Sequence, residues 1–490
     1  MITSLVVCIG MVLVAMLTRG LGLPKLNAVS AFTASWVPML VVAGVFGGAS
    51  LGISDLTWTM ILTGWASLVI GALAGWLLTG QQRARAPAPA ITIDLVRTRK
   101  VHLLLTGAFV VYVAIQLTNA LPLIARSGGW DAVFSSAGNG SAGNAYRYIS
   151  VQQSVEQSQS DLASDSVFLS AINYATFITG TAATYTGAVL WRAGYRITGV
   201  LPVAVAAALS LVTLQRTSVV LVCLLFAFGL AALRISGVDI PHRGGTKESL
   251  VRRNPYAPGP ASRRIRAVVA SIVVAAAVAG FLYYATDIRG TTSGTTTFDQ
   301  QGGVYLVGGV AGLESRNIQG ADWPALPGKY PGTTDPSPGI GGYTFSGLWA
   351  ALYRLGAPVK LTRVNLDFTP VELYGQPTIT NNVTALGQFY LDFRWPGLII
   401  VPFLLGWVTS RLQRGLAGSK RIGRVPAVAF LLTISFWSFF GAWLSDVRQL
   451  LVAAVGGVVL TWAVQRRLDD SPGRTAHRAA NSANASKRAR

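Results

Sequence analysis

Residues 380–411 read TNNVTALGQFYLDFRWPGLIIVPFLLGWVTSR. This stretch carries Asn, Thr, Asp and Arg side chains directly into an apolar run, Trp395 to Arg411. The hydrocarbon core of a bilayer needs about 20 mostly apolar residues to be crossed by one helix. The stretch therefore predicts a membrane-spanning helix with polar and charged groups just before its N-terminal end.

The composition extends this prediction to the whole chain. Hydrophobic residues make up 51% of the 490 residues and charged residues only 12%, and the mean hydropathy is +0.49. These values are too apolar for a soluble globular protein. We expect an all-α polytopic membrane protein with about 11 transmembrane helices. The apolar runs are Ile2–Thr18, Val29–Ala49, Leu56–Thr79, Val101–Ala125, Val167–Trp191, Ile197–Thr213, Val219–Ile235, Ala267–Ala285, Trp395–Arg411, Val425–Leu444 and Leu450–Val464.

Basic residues are concentrated in alternate loops, after the first, third, fifth, seventh, ninth and last runs. Because Lys and Arg are retained on the cytoplasmic side of a membrane, this alternation orients the helices. It predicts an exterior N-terminus and a cytoplasmic C-terminus. The two long exterior loops are then 126–166 and 286–394, with the larger between the eighth and ninth spans.

The same reasoning divides the chain into four parts. The first contains the first eight spans and a basic cytoplasmic loop, and a large exterior loop with partial helical order follows it. The last three spans come next, and the chain ends in a basic tail of disordered composition. The parts are 1–285 with its loop 236–266, then 286–394, 395–466 and 467–490.

The net charge of +21 and the pI near 10.5 follow from this topology. A strongly basic chain can bind nucleic acid, but here the charges lie in short loops and a tail beside anionic lipid headgroups. We therefore expect membrane lipids, and no nucleic acid, as partners of the basic residues.

Histidine and nucleotide chemistry are disfavoured on the exterior side. His102, His242 and His477 all map to the cytoplasmic side of the predicted topology, so a zinc site or a histidine base outside the membrane is not expected. The chain also lacks the glycine patterns of P-loop and Rossmann nucleotide sites. We expect no metal and no cofactor, so a carboxylate has to perform any exterior proton transfer.

Arginine residues near the exterior ends of the spans are the first candidates for binding a substrate. Arg216 lies in a very short turn between the sixth and seventh spans, and Arg448 lies in the turn before the last. Arg289 and Arg394 lie within a few residues of a span. A guanidinium fork binds a diphosphate with two hydrogen bonds. The alternative is that each side chain only anchors its helix at the headgroups.

A family resemblance follows from these residues. An Arg in the sequence Gln215-Arg216-Thr217-Ser218, a large late exterior loop, and an Asn-x-x-Thr...Asp-Phe-x-x-x-Gly segment resemble the O-antigen polymerase (Wzy-type) family of oligosaccharide repeat-unit polymerases. The family commonly has Gly directly after Asp-Phe, whereas this chain has Arg394 there. The matching residues are Arg216, Asn381, Asn382, Thr384, Gly387, Asp392, Phe393 and Gly397.

The resemblance implies a metal-independent glycosyltransferase of the bacterial cytoplasmic membrane. Such an enzyme moves a growing glycan from a polyprenyl diphosphate onto the sugar of another lipid-linked repeat unit, outside the membrane. Donor and acceptor are its partners, and other polysaccharide-assembly proteins are further candidates.

The resemblance also implies roles for individual residues. Two of these residues also have a structural explanation that stays open. Asp392 could instead cap a helix or form an interfacial salt bridge, and Tyr374 could instead belong to an aromatic belt at the membrane interface. The diphosphate would be bound by Arg216 first and then by Arg289, Arg394 and Arg448. The proton of the acceptor hydroxyl would pass to Asp392 or Glu372, and the sugars would contact Asn381, Asn382, Thr384 and Tyr374.

Three other functions remain open at this point. A ligase similar to O-antigen ligases would share the donor chemistry but transfer the glycan to a different acceptor. A transporter or flippase would carry ionisable residues in the middle of its spans, and the apolar runs are nearly free of them. A structural partner in a cell-envelope complex is the third.

Overall fold

The structure is a computed structural model of the 490-residue chain. It describes residues 2–46, 53–78, 91–134, 167–213, 217–238, 240–241, 308–314, 344–345, 348, 352, 357, 369–373, 376–380, 384–417, 422–441 and 447–467.

Helices account for most of the described residues, so the predicted α-helical class is confirmed. A 3-10 turn, Ile422–Arg424, precedes α10, and a π-helical turn, Leu460–Val464, follows α11. The helices are α1 (Ile2–Gly20), α2 (Ala28–Phe46), α3 (Asp55–Leu77), α4 (Leu95–Arg126), α5 (Gly129–Phe134), α6 (Val167–Arg192), α7 (Arg196–Thr213), α8 (Thr217–Ser236), α9 (Thr384–Leu416), α10 (Val425–Trp437) and α11 (Val447–Val459).

Four of the described helices are long and apolar enough to cross a membrane: α3, α4, α8 and α9. Shorter apolar helices lie at the positions of α1, α2, α7, α10 and α11. The chain is therefore a membrane protein. Every predicted span except the eighth coincides with a helix, while the eighth, Ala267–Ala285, lies outside the described residues. The total number of membrane crossings stays a prediction.

Two short antiparallel ladders lie outside the helices. Strand β1 (Ile91–Ile93), just before α4, pairs with β4 (Gln465–Arg467) at the end of the described chain. Strand β2 (Thr369–Leu373) pairs with β3 (Gln376–Thr380) within the predicted exterior loop. The predicted tail lies outside the described residues from 468 onward.

Helices α3 and α9 pack backbone to backbone. A Cβ atom on Gly71 would collide with the carbonyl oxygen of Phe403, and one on Gly75 would collide with that of Trp407. Gly406 of α9 has the same relation to the backbone of α3. Since the paired residue numbers rise together, the two helices run parallel here. Lipid gives helices no hydrophobic drive to associate, and small residues permit the close van der Waals contact that replaces it.

This contact gives a test of the fold. Gly71→Ala should destabilise the protein by about 1–3 kcal/mol, because the added methyl group pushes α9 away from α3. Gly107 on α4 is a matched control, since a Cβ there meets nothing within 4 Å, and Gly107→Ala should be neutral or slightly stabilising. Thermal unfolding in detergent measures both. Equal melting temperatures for the two variants would contradict the close α3–α9 packing.

An aromatic and polar cluster joins α2, α9 and α10. The Trp36 ring stacks on Phe32 with centroids 5.0 Å apart and meets Phe439 edge to face at 5.3 Å. Its indole N–H donates to the Ser438 hydroxyl at 2.9 Å. The Ser438 carbonyl in turn accepts the Ala385 N–H at 2.8 Å. Buried Trp needs such a partner for its N–H, and Ser438 thereby connects Trp36 of α2 to the first turn of α9.

His102 joins α4, α6 and α7. It is fully buried, with Nδ1 3.0 Å from the Thr186 hydroxyl and Nε2 2.8 Å from the Thr198 carbonyl oxygen. Both ring nitrogens are thus engaged, as a buried polar group requires. The arrangement gives His102 a structural role between three helices.

Candidate functional site

Helix α9 is two helical parts joined by a sharp bend at Arg394, whose φ is 56° and ψ is −144°. In a straight helix, residues eight apart are separated by about 12 Å along the axis. Here a Cβ on Gly397 would collide with the carbonyl oxygen of Phe389, so the chain folds back on itself. Pro396, which lacks an N–H, suits the first turn of the second part. Residues 384–393 therefore form a short helix packed against the start of the membrane-spanning part.

This short helix is buried in the protein core. Ala385, Leu386 and Phe389 are at most 2% exposed and join a cluster with residues of α2, α3 and α10. The Leu386 side chain fills the space left by Gly64 on α3. The segment predicted as an exterior loop, 286–394, thus contributes this helix and the buried helical turn 308–314 to the core.

Asp392 lies in the last turn of the short helix and is partly exposed. Its Oδ2 atom accepts a hydrogen bond from the main-chain N–H of Thr344. Beside it, the Phe393 ring meets Phe345 edge to face with centroids 6.4 Å apart. The backbone at Thr344, in the predicted exterior loop, therefore contacts the Asp392 carboxylate directly, at the point where the membrane-spanning part of α9 begins.

Arg394 occupies the bend itself, and its side chain is exposed. Its guanidinium carbon lies 5.6 Å from the centroid of the Tyr390 ring. Its backbone conformation is close to a region that is nearly restricted to glycine. The structure therefore has a glycine-type turn here with an Arg in it.

A substitution at Arg394 separates strain from charge. Arg394→Gly should stabilise the protein by about 1 kcal/mol, because a strained backbone costs roughly 1–3 kcal/mol and the added flexibility of Gly offsets part of the gain. Arg394→Ala removes the same guanidinium but keeps a Cβ, so it should bring no stabilisation. Thermal unfolding compares the two. If Ala stabilises the protein as much as Gly, the bend at residue 394 is not strained.

Thr384 and Arg448 have contacts of different kinds. Thr384 is fully buried, and its hydroxyl accepts the Gly387 N–H at 3.2 Å, so it shapes the start of the short helix. Arg448, exposed at the start of α11, has its guanidinium carbon 5.4 Å from the centroid of Phe177 and 5.8 Å from that of Tyr174. These cation–π contacts with α6 hold the Arg448 charge at the predicted exterior end of the helices.

For the remaining predicted residues, the structure describes either the backbone alone or nothing. Glu372 lies in β2 opposite Pro377, but its side chain is not described. Residue 216 falls between the end of α7 at Thr213 and the start of α8 at Thr217, so it directly precedes a helix. The structure thus places Asp392 and Arg394 side by side at the bend of α9, with Thr384 at the other end of the short helix. The residues outside the description are Arg216, Arg289, Tyr374, Asn381 and Asn382.

Glu314 is a candidate that the sequence analysis missed, because its segment has the Gly-rich composition of a surface loop. It is 3% exposed and ends the buried turn 308–314. Its Oε2 accepts the N–H of Ser54 at 2.9 Å and the Ser54 hydroxyl at 3.0 Å, at the start of α3. Its Oε1 is buried with no hydrogen-bond partner among the described residues.

Burying such a carboxylate costs several kcal/mol unless its oxygens are satisfied. A lone acid at the end of the apolar, glycine-rich run 302–314, GGVYLVGGVAGLE, is the sequence signal for it. The turn also places Gly309 against Phe439 and Thr384. The turn 308–314 therefore bridges the start of α3 and the start of the short helix, and Glu314 lies at the same end of the bundle as Asp392.

An open apolar groove of about 670 Å³ runs between α10 and α11. It is lined by Phe430, Ala453, Gly457 and Trp462, among others, and Trp462 is 70% exposed. None of the predicted site residues lines it. The groove therefore belongs to the apolar outer surface of the helices and not to the candidate site.

No protein family, characterised protein or solved structure matches this chain. Among the described residues, no group of three or more His, Cys, Asp or Glu side chains is placed to hold a metal ion. The functional argument rests on the motif residues, the membrane helices and the geometry at the bend of α9.

Proposed function

We propose that this membrane protein is a glycosyltransferase that polymerises polyprenyl-diphosphate-linked oligosaccharide repeat units for a cell-surface polysaccharide. The reaction takes place on the exterior face of the bacterial cytoplasmic membrane. The observation that carries the proposal is the short buried helix 384–393, which folds back at Arg394. It holds a carboxylate and a guanidinium at the mouth of a membrane-spanning helix, where a lipid-linked sugar would be presented.

The donor diphosphate is bound by arginine. When the bond between the sugar and the phosphate breaks, negative charge develops on the diphosphate, and preorganised guanidinium groups stabilise that charge without a metal. Arg394 and Arg448 are exposed residues near helix starts. Arg216 and Arg289 join them on the basis of the sequence. The polyprenyl chain stays in the bilayer, so the diphosphate remains at the surface.

The acceptor hydroxyl must lose a proton as it attacks. Its oxygen forms a bond to the anomeric carbon of the donor sugar, and the bond from that carbon to the phosphate oxygen breaks, with the electron pair leaving on the polyprenyl diphosphate. The proton passes to Asp392, or to Glu372. A general base must lie within hydrogen-bond reach of its substrate. Asp392 is the better supported of the two, because its carboxylate is partly exposed and is held in place by the Thr344 N–H.

The sugars on either side of the new bond need polar partners. Asn381 and Asn382 are separated from the short helix only by Val383, and their amides can donate to and accept from sugar hydroxyls. Tyr374 lies between β2 and β3, where an aromatic ring can stack on a sugar. In this proposal the N-terminus is exterior and the C-terminus is cytoplasmic.

The lipid-linked material that accumulates when the gene is deleted tests the proposal. A polymerase leaves single lipid-linked repeat units on the exterior face. A ligase leaves full-length polymer on the lipid carrier, and a flippase leaves single units that face the cytoplasm. Gel analysis of extracted lipid-linked glycans gives the chain length, and an impermeant oxidant of sugar diols gives the side of the membrane. Polymer of normal length in the deletion strain would rule the polymerase out.

A further inference from the structure

We propose that the groove between α10 and α11 binds an anionic phospholipid, with an acyl chain in the groove and the phosphate at Arg97. The inference goes beyond the proposed function and does not depend on it. The evidence is the lining of the groove, the charge at one of its ends and its position along the helices.

The groove follows one face of α11 on the outer surface of the bundle. Its lining on this helix extends from Leu450, near the start of α11, to Trp462 in the π-helical turn that follows. Such an interval of about 12 residues rises about 18 Å, more than half of the hydrocarbon thickness of about 30 Å. Leu450 and Val458 in the lining are 44% and 67% exposed. An apolar opening of about 670 Å³ on the outside of a membrane protein faces lipid, so an acyl chain can lie in it.

Small residues leave the groove empty of side chains. A Cβ on Gly457 would lie 2.9 Å from the carbonyl oxygen of Gly423, so α11 and the turn before α10 touch through their backbones. The lining also contains Ala427, Ala453 and Ala454. The groove is therefore formed before a lipid binds, which lowers the free-energy cost of ordering the site.

A positive charge lies at one end of the groove. The guanidinium carbon of Arg97 is 4.7 Å from the centroid of the Trp462 ring, and both side chains are exposed. A guanidinium that contacts an aromatic ring in this way can at the same time donate two parallel hydrogen bonds to a phosphate. The apolar groove therefore ends at a group that suits a lipid headgroup.

The surroundings of Arg97 are basic. Arg99 and Lys100 in the same turn of α4 are exposed, and strand β4, with the sequence QRR, pairs with β1 just before α4. The neighbouring acid, Asp94, caps α4 by accepting the Arg97 main-chain N–H at 3.0 Å. Basic pockets between membrane helices bind anionic headgroups. This end of the groove therefore favours an anionic lipid over a zwitterionic one.

Two further Arg–Trp contacts mark the membrane interface on this side. The guanidinium carbons of Arg411 and Arg414 lie 5.1 and 5.3 Å from the ring centroids of Trp407 and Trp76. Trp rings and snorkelling Arg side chains are typical of the headgroup level of a membrane. These contacts lie near the ends of α9 and α3 that the sequence predicts as cytoplasmic, and the predicted topology puts the basic end of the groove on the same side.

Two other occupants fit these observations less well. A second copy of the chain would bring two basic ends together, and the net charge of +21 makes such a contact repulsive. The polyprenyl donor of the proposed function has its diphosphate at the opposite end of the helices, near Arg394 and Arg448. A lipid held through Arg97 enters from the other side of the membrane.

The test uses the full-length protein in a mild detergent and a phosphatidylglycerol that carries a photoreactive group in its acyl chain. Mass spectrometry of the cross-linked peptides gives the labelled residues, and competition with unlabelled lipids gives relative affinities. Arg97→Gln removes the guanidinium. Arg411→Gln is the matched control, because Arg411 is also exposed and also contacts a Trp ring, but Trp407 does not line the groove.

In the wild type, we expect labelling to concentrate on the groove residues of α10 and α11. Unlabelled phosphatidylglycerol should compete at about tenfold lower concentration than phosphatidylcholine with the same acyl chains, the effect of a charge-assisted hydrogen bond. Arg97→Gln should remove most of this preference, and Arg411→Gln should keep it. An unchanged preference in Arg97→Gln would overturn the inference, and so would labelling spread evenly over the outer faces of the helices.

A variant that fills the groove tests the acyl chain separately. Ala454 lines the groove and is exposed, so Ala454→Phe should occupy the space without disturbing the core, and labelling of the groove should fall. Unchanged labelling in this variant would contradict the inference. Stronger competition by polyprenyl diphosphate than by phosphatidylglycerol, or a dimer that Ala454→Phe dissociates, would assign the groove to another occupant and overturn it as well. Polymer formation is not measured in these experiments, so their outcome is independent of the proposed function.

Discussion

Replacing Asp392 with Asn should lower polymer-forming turnover about a hundredfold or more, the size of effect that follows the loss of a positioned general base. Asn has nearly the same shape and retains a carbonyl oxygen that can accept the Thr344 N–H seen in the structure. It cannot take up the proton of the acceptor hydroxyl. Folding and binding of the lipid donor should therefore change little, and the loss should appear in the rate.

A purely structural role of Asp392 predicts a different outcome. A helix cap contributes about 1 kcal/mol and Asn also caps well, and an exposed ion pair contributes less, so Asp392→Asn would then be mild. Polymer length in cells and the amount of protein extracted with detergent distinguish the two roles. Normal polymer from normally abundant protein would assign Asp392 to structure and make Glu372 the next candidate base.

Arg216→Ala should abolish polymer formation at normal protein levels if Arg216 holds the donor diphosphate. Arg216→Lys should restore little, because Lys keeps the charge but loses the two-pronged geometry of the guanidinium. The short connection between Thr213 and Thr217 places residue 216 just before the N-terminus of α8. The partial positive charge of a helix N-terminus adds to the attraction for an anion there.

Arg126 is a matched control for Arg216, since it is an exposed Arg in the last turn of α4 on the same predicted side of the membrane. Arg126→Ala should leave polymer formation near normal. Polymer of normal length in Arg216→Ala would remove Arg216 from the site. Normal polymer in Arg216→Lys, but not in Arg216→Ala, would show that a positive charge is required at this position and that the two-pronged guanidinium geometry is not.

The positions of the membrane helices could be predicted from the sequence because each is a local property. An apolar run long enough to cross the bilayer buries its side chains in lipid whatever its neighbours do, and its backbone hydrogen bonds close within the helix. The runs near α3, α4, α8 and α9 are of this kind. The placement of Asp392 and Arg394 beside the start of a membrane helix followed from the same local pattern.

The short helix 384–393 could not be predicted in this way. Its ten residues, TALGQFYLDF, mix apolar and polar side chains and are too few to form a span. They become helical and buried because Leu386 fills the gap at Gly64 and Ala385 donates to the Ser438 carbonyl. Both partners are far away in the sequence.

Two further features arise only from tertiary packing. Arg394 adopts a glycine-type backbone because the contact of Gly397 with Phe389 forces the chain to fold back. Glu314 is buried beside Ser54, 260 residues earlier at the start of α3, whose N–H and hydroxyl donate hydrogen bonds to its carboxylate. The sequence by itself determined that this is a helical membrane protein with polar groups at a helix mouth, since partition into lipid depends on each segment alone. Which of those groups are buried, strained or left without a partner was decided by the tertiary structure, because these properties depend on contacts between segments that no local pattern records.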